Sequence, residues 1–518
     1  MPPFLIGLFA IIFALLVFIL YIFIRPKLSQ LHKLQGPPVN GLFTSHLELI
    51  LNVSASHEQI DKLVKKYGTS FRINGLASVS QLYLRYLCHS QPSTSQHDER
   101  LVTVDPTAMT YILNRPWIYQ KPWQSRRLIT RLIGEGLLGS EGIIHKRLRK
   151  LSNPAFSQQN LREFLPTFFK KALELKECWE KIISQNPHHA NEIDICHWLG
   201  RLTVDIIGET GFDYPFNAIR NETNEVYLAF RDMFAAVFTA APEWEIILGI
   251  YFPFFNKLWR SKTNVIVEHS QRVIQKVGKD VIKRKKDAFE KGVDPGKDLL
   301  TLLLKSNYSD ETPPEQRVSN EDLFNQVSTF LFAGSDTSSL ALTWTLQLLT
   351  EHPDIQTRLR QEFHDLQTSK NVIKNVLDIE DDKSYADMYK AIDVLPFLDN
   401  VIRESLRLIP PIHSSLRVAT RDDYIPFSGP VLLRDGTTQH GIGIKKGQIV
   451  HVSIEAFNVN KNVWGEDAWS FNPDRWLNIP DKARQQPGLY PNNMSFSAGP
   501  RTLCSKSIQK GISMSIES

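Results

Sequence analysis

The first pattern along the chain is a run without a charge. From Phe4 to Ile24, "FLIGLFAIIFALLVFILYIFI", 21 consecutive residues are uncharged and nearly all apolar. At about 1.5 Å of rise per residue, a helix of that length spans the roughly 30 Å hydrocarbon layer of a bilayer. No basic residue precedes the run and no small-residue cleavage site comes after it, so it reads as a retained anchor and not a removed signal. Arg25, Lys27 and Lys33 come next, and the positive-inside rule leaves the rest of the chain on the cytosolic side. In "LQGPPVNG" (34–41), Pro37 and Pro38 stiffen the passage from the anchor to the main domain. Past residue 42, apolar residues recur at helical spacing over 167–185, 193–212, 265–291, 321–350 and 354–366. Strand patterns appear at "SFRING" (70–75) and within 431–454, where Asp435-Gly436 and Lys446-Gly447 provide turns. The expectation is a mainly α protein with a small β portion. It comprises an anchor at 1–25, a basic and proline-rich hinge at 26–42, and one large domain at 43–518.

Composition narrows the partners. With 518 residues, 42% hydrophobic and 22% charged, there is ample chain for a large core, and no internal repeat divides it. A net charge of +5 without a basic-aromatic stripe or zinc-finger spacing argues against nucleic acid. It suits an acidic protein partner or an anionic membrane surface. The four cysteines, Cys88, Cys178, Cys196 and Cys504, form no CxxC pair, which points to a reducing compartment. The sequons at Asn52, Asn221, Asn307 and Asn493 are then incidental. The polar stretch 84–101 interrupts a strand-like passage and reads as a surface loop or a retained intron; the basic run 283–286 reads as a solvated helix face.

Candidate chemistry starts in "STFLFAGSDTSSLALTWTLQLL" (328–349), flanked by a start signal at Ser319 and Asp322 and a stop at His352-Pro353. Residues 335–339, all polar and just after Gly334, cover every face of a helix, so some must be buried. A buried Asp336-Thr337 beside a glycine that lets the helix open describes a proton path. In "VIRESLRLIPP" (401–411), Glu404 and Arg407 share a helix face, and "FNPDRW" (471–476) adds Arg475. Two arginines on one buried glutamate would clamp structure, not react. In "HKRLRKLSNPAF" (145–156), His145 and Arg149 stand one turn apart, either on a solvated basic face or aimed at anionic groups of a buried cofactor.

Taken in order, the anchor, the proline hinge, His145/Arg149, AGSDT, ExxR, FNPDRW and FSAGPR closely resemble the cytochrome P450 superfamily, above all its membrane-bound fungal members. The likeness runs from the anchor to about Arg501. It implies haem b (iron protoporphyrin IX), O2, an NADPH-dependent P450 reductase and a lipophilic small molecule, on the endoplasmic-reticulum membrane with the catalytic domain facing the cytosol. It implies an oxygen-activation site at Gly334, Asp336 and Thr337, a structural triad of Glu404, Arg407 and Arg475, and propionate contacts from Arg149, Arg417 and Arg501, with His145 where tryptophan is frequent. The run "YFPFFNKLW" (251–259) falls where the family has its entry and membrane-dipping loops, or is ordinary core. No dinucleotide fingerprint is present, so electrons come from another protein; Lys146, Arg147 and Lys150 are expected to face it.

The thiolate loop departs from the pattern. In the family it reads Phe-x-x-Gly-x-Arg-x-Cys-x-Gly. Phe496, Gly499 and Arg501 match, but Leu503 holds the cysteine position and Cys504 comes one residue later. A one-residue slip displaces a sulfur by up to roughly 3.3–3.6 Å, more than a metal–thiolate bond of about 2.3 Å, so the loop must bulge for Cys504 to ligate iron. The tail "SKSIQKGISMSIES" (505–518) is too polar for the helix that backs the haem in the family, which suggests an altered reading frame near Thr502. Three readings stay open: a monooxygenase, a haem isomerase or peroxide-using enzyme of the same fold, and a catalytically silent chain.

Overall fold

The computed structural model describes residues 29–38, 46, 56–75, 99–185, 192–240, 243–293, 296, 298–308, 318–370, 390–486, 488 and 493–502. The anchor run, Cys504 with its tail and most of 84–101 lie outside them. Residues 99–101 of that stretch are not loop but the start of a strand. Among the described residues no helix is long and apolar enough to cross a membrane. The chain divides into two compact units, each with its own core.

The first unit runs to Pro122 and includes Ile412–Ser470 and Ile479–Thr502. It holds strands β1 (Ser70–Asn74), β2 (Glu99–Thr103), β3 (Tyr119–Gln120), β4 (Ser414–Ala419), β5 (Asp423–Leu432), β6 (Thr438–Ile444) and β7 (Ile449–Ser453). Five form one sheet in the order β1-β2-β7-β4-β3; β5 and β6 form a separate pair. Central β7, parallel to β2 and antiparallel to β4, is buried along its whole length, as a strand covered on both faces must be. Residues 29–36 are sewn onto this unit. Leu31 and Leu34 are fully buried. Gln448 Nε2 donates to Ser29 Oγ at 2.8 Å, Gly443 N to Gln30 Oε1 at 2.9 Å, and Arg72 N to the Gln35 carbonyl at 2.9 Å. His32 Nδ1 lies 2.9 Å from Glu99 Oε1, which also accepts from Arg72.

The second unit, Trp123–Pro411 with Phe471–Asn478, is helical. At its centre the Asn320–Glu351 helix begins in a capping box: Ser319 Oγ accepts from Asp322 N, and the Asp322 carboxylate accepts from Ser319 N. Helix Ile195–Phe212 packs along it. Gly334 lies at that crossing, where a Cβ would come within 2.9 Å of Ile207 Cδ1 and the isoleucine would have to turn aside. The partner helix is itself fastened by a buried pair one turn apart. Asp205 accepts from the backbone N–H of Ala218 and Ile219 at 2.7 and 2.9 Å, while Arg201 donates to the carbonyls of the same two residues. Both side chains thus satisfy the loop after the helix, not each other.

Candidate active site

The central helix runs unbroken from Asn320 to Glu351, so the opening expected at Gly334 does not occur. The hydroxyls instead bond back onto carbonyls one turn earlier: Ser335 to Leu331 and Thr337 to Ala333, each at 2.6 Å, and Thr343 to Ser339 at 2.7 Å. Ser335, Ser338 and Ser339 are buried and Thr337 is half-buried, but Asp336 is exposed, so the buried acid expected at this position is not found. The protein around Asp336 nonetheless withholds enough water to raise its carboxyl above the usual carboxylate range. Across from it, burial pushes the Cys196 thiol up. A hydrogen bond with Thr343 opposes that shift, and the negative charges of Asp194 and Asp336 add to it. Cys178 is raised by burial as well. Neither is a ready thiolate; Cys88 and Cys504 lie outside the described residues.

Glu404 is the most heavily bonded carboxylate in the second unit. It sits on helix Pro396–Leu408, and Glu404 and Arg407 are both 0% exposed. Arg407 Nε and Nη2 donate to Glu404 Oε2 and Oε1 at 2.9 and 2.8 Å. Arg475 Nε adds a bond to Oε1 at 3.2 Å. Two further donors escaped the sequence reading: Asn472 N at 3.2 Å and Trp476 Nε1 at 3.1 Å. Both lie in the same FNPDRW motif, where Asn472 caps the 3-10 turn Pro473–Trp476 and so aims Arg475 and Trp476 together.

His145 and Arg149 lie one turn apart on helix Gly142–Ser152, both half-buried. Arg147, about a third exposed, also donates from Nη2 to Asp322 at 2.8 Å, a tie at the start of the central helix. In the first unit, Arg417 on β4 is 5% exposed and its Nη1 donates to the Ser415 hydroxyl and the Leu416 carbonyl. Phe496 is buried and Arg501 half-buried. Their loop is held by Asn458, whose Oδ1 accepts from Met494 N and whose Nδ2 donates to Ser495 Oγ, both at 2.9 Å. Gly499 has φ 72°, and a Cβ there would lie 2.6 Å from Asn114 Oδ1 and 2.7 Å from the Leu113 carbonyl. Gly499→Ala is therefore expected to cost at least about 1–2 kcal/mol. Gly436→Ala, at φ 82° with open space around it, should cost less. Thermal denaturation followed by tryptophan fluorescence compares the two, and equal losses would show that the tight fit at Gly499 is immaterial.

In the second unit, Arg149 is half-buried with no ion-pair partner among the described residues, which leaves its guanidinium able to meet a carboxylate. The long acid–threonine helix and the buried glutamate cluster, both in the second unit, are features of the helical oxygenases that the sequence resembles. Comparisons agree. The family model "Cytochrome P450" matches residues 96–504. The chain is 31% identical to cytochrome P450 monooxygenase 128 of Postia placenta, over 93% of this chain and 83% of that protein. It is 33% identical to monooxygenase 205 of the same fungus, over 91% and 82%, and 32% identical to a ganoderic acid synthetase of Ganoderma lucidum, over 92% and 84%. The chain belongs to the cytochrome P450 family and is an oxidoreductase of the monooxygenase kind.

Proposed function

We propose that this chain is anchored in the endoplasmic-reticulum membrane by residues 1–25 and inserts one oxygen atom of O2 into a lipophilic small molecule of secondary metabolism. Electrons come from an NADPH-dependent P450 reductase. Haem b is the group the residues would hold, with Arg149, Arg417, Arg501 and His145 on its carboxylates, Phe496 and Gly499 shaping the loop, and Cys504 as the thiolate. When bound, haem supplies the oxygen activation and redox chemistry that no side chain here provides.

The observation that carries the reading is the Asp336–Thr337 pair. Thr337 spends its proton on the Ala333 carbonyl, so its oxygen is left to accept a hydrogen bond from a proton-bearing neighbour. Asp336, raised by partial desolvation, takes up a proton more readily than an ordinary carboxylate and can pass it on from its exposed side. Gly334 lets Ile207 of the partner helix pack beside the pair. An isomerase has no use for such a feed. Exposed Phe254, Leu258 and Trp259 in the 251–259 run support contact with lipid. Lys146 and Lys150, both exposed, support docking of an acidic reductase.

A second reading, a chain that holds no haem, is favoured by Leu503 standing where the cysteine is expected. The test is to express the full chain, reduce it and add carbon monoxide. A strongly red-shifted Soret band is the expected result. A band at the imidazole-like position, or none, would overturn the reading.

A further inference from the structure

We infer that one end of the β unit, where Ser29 and Gln30 join it, is a face that rests on the bilayer, with Trp117 and Tyr424 in the headgroup layer and Arg421, Lys445 and Lys446 against anionic phospholipid. The inference rests on the reading of residues 1–25 as an anchor and adds which surface of the first unit meets lipid.

Chain length fixes which end it is. The uncharged run stops at Ile24, and by Ser29 the chain is already fastened: Gln448 Nε2 donates to Ser29 Oγ, and Gly443 N to Gln30 Oε1. The residues between Ile24 and Ser29 reach at most roughly 18 Å when fully extended. The turn at 445–448 therefore stands close to the end of the anchor. That turn is stitched to the strand ends beside it. Gly447 N donates to the Ala419 carbonyl at 2.7 Å, Thr420 N to the Ile118 carbonyl at 2.8 Å, and Thr420 Oγ1 to the Trp117 carbonyl at 3.2 Å. Tyr424 pairs with Gly443 across the β5–β6 ladder. Residues 117, 419–424 and 443–448 thus lie together at the end where the leader joins.

The chemistry of this end suits a membrane–water boundary. Trp117 is 62% exposed and Tyr424 is 51% exposed. Rings of this kind, apolar in body with one polar N–H or O–H, settle at the headgroup level of a bilayer. Arg421, Lys445 and Lys446 are exposed around them. The nearby carboxylates are already engaged. Asp422 accepts from Lys445 Nζ at 2.7 Å and from Lys446 N at 2.9 Å, while Asp423 accepts from the hydroxyls of Tyr111 and Tyr119. Arg421 has no ion-pair partner among the described residues. Arg25 and Lys27 add two positive charges in the leader. Each cation near an anionic membrane surface strengthens binding about fivefold. The tether favours lipid over an acidic protein as the occupant, because it holds lipid within reach of this face at all times.

The test uses the full chain in phosphatidylcholine nanodiscs, with and without phosphatidylserine, carrying the photocrosslinker p-benzoylphenylalanine in place of Trp117 or Tyr424. The control carries it in place of Lys62, which is 60% exposed on the Ser56–Tyr67 helix; that helix packs on β1, at the opposite edge of the sheet from β3. Irradiation should join lipid to the chain at positions 117 and 424 and not at 62. Phosphatidylserine should be captured about fivefold above its share of the disc, and the double variant Arg421→Gln with Lys446→Gln should bring it back to that share. Both side chains are exposed, so the variant loses no core contact. No lipid at 117 or 424, equal capture at 62, or a serine-lipid preference that the double variant keeps overturns the face. A chain that fails to elute with the discs overturns the anchor and the face together, whereas a disc-bound chain that captures no lipid overturns the face alone. The carbon monoxide band reports on haem and is independent of both.

Discussion

Replacing Glu404 with alanine is expected to cost the folded protein about 3–5 kcal/mol, because it strands the guanidinium of Arg407 in a site with no water. Glu404 satisfies five donors: two from Arg407 and one each from Arg475, Asn472 and Trp476. Glu404→Gln keeps the shape and removes the charge, so its loss should be nearly as large. Arg358, paired with Asp474 at 2.6 and 2.8 Å but about half exposed, provides the contrast. Arg358→Ala should cost no more than about 1 kcal/mol, since water screens that pair. Urea denaturation of the detergent-solubilised chain measures both. Similar losses at the two sites would mean that the Glu404 cluster is not buried as described.

Acid should weaken the protein through His451. This side chain on β7 is 1% exposed, and neither ring nitrogen has a partner among the described residues. Its register neighbours are Val102 on β2 and Leu416 on β4, and Ser453, on the same face two residues on, has a buried hydroxyl that is also without a partner. Burial, aided by the positive charge of Arg100, pushes the imidazole down to about 3 from its ordinary 6.5. The folded state therefore keeps it neutral while the unfolded chain takes up a proton below pH 6.5. Its contribution is complete above pH 6.5 and drains away as pH falls towards 3. At 1.36 kcal/mol per pH unit, that amounts to about 2 kcal/mol at pH 5 and on the order of 4–5 kcal/mol by pH 3. His451→Leu should lose this dependence, so the variant gains on wild type as the solution is acidified. A stability difference that stays constant from pH 7 to pH 4 would refute a buried neutral imidazole.

The long helices were readable because their signals are local. The central helix, expected over 321–350, occupies Asn320–Glu351, its start written in Ser319 and Asp322 and its stop in His352-Pro353. Strand β5 was half missed: Pro426, Gly429 and Pro430 argue against a strand, yet β5 pairs on one side only and bulges between Pro426 and Val431, so the missing N–H groups cost nothing. Strand β4 was missed too, because Ser414, Ser415 and Arg417 make it too polar to read as the neighbour of a buried strand. Among site residues, Glu404, Arg407 and Arg475 could be paired from sequence because each sits in a short motif. Asn472 N and Trp476 Nε1 could not, because a backbone N–H and an indole that donate to a carboxylate some seventy residues away leave no mark in local spacing.

The fastening of residues 29–36 fixes where the leader can be cut. Leu31 and Leu34 fill the β unit from within, and Ser29 and Gln30 hold its 443–448 turn. A version cut before Ser29 keeps Leu31, Leu34 and the bonds of Ser29 and Gln30. One trimmed to the prolines would remove two core side chains and open a cavity beneath the sheet. The folded unit thus begins by Ser29, well ahead of the proline pair at 37–38 that reads as its boundary in the sequence.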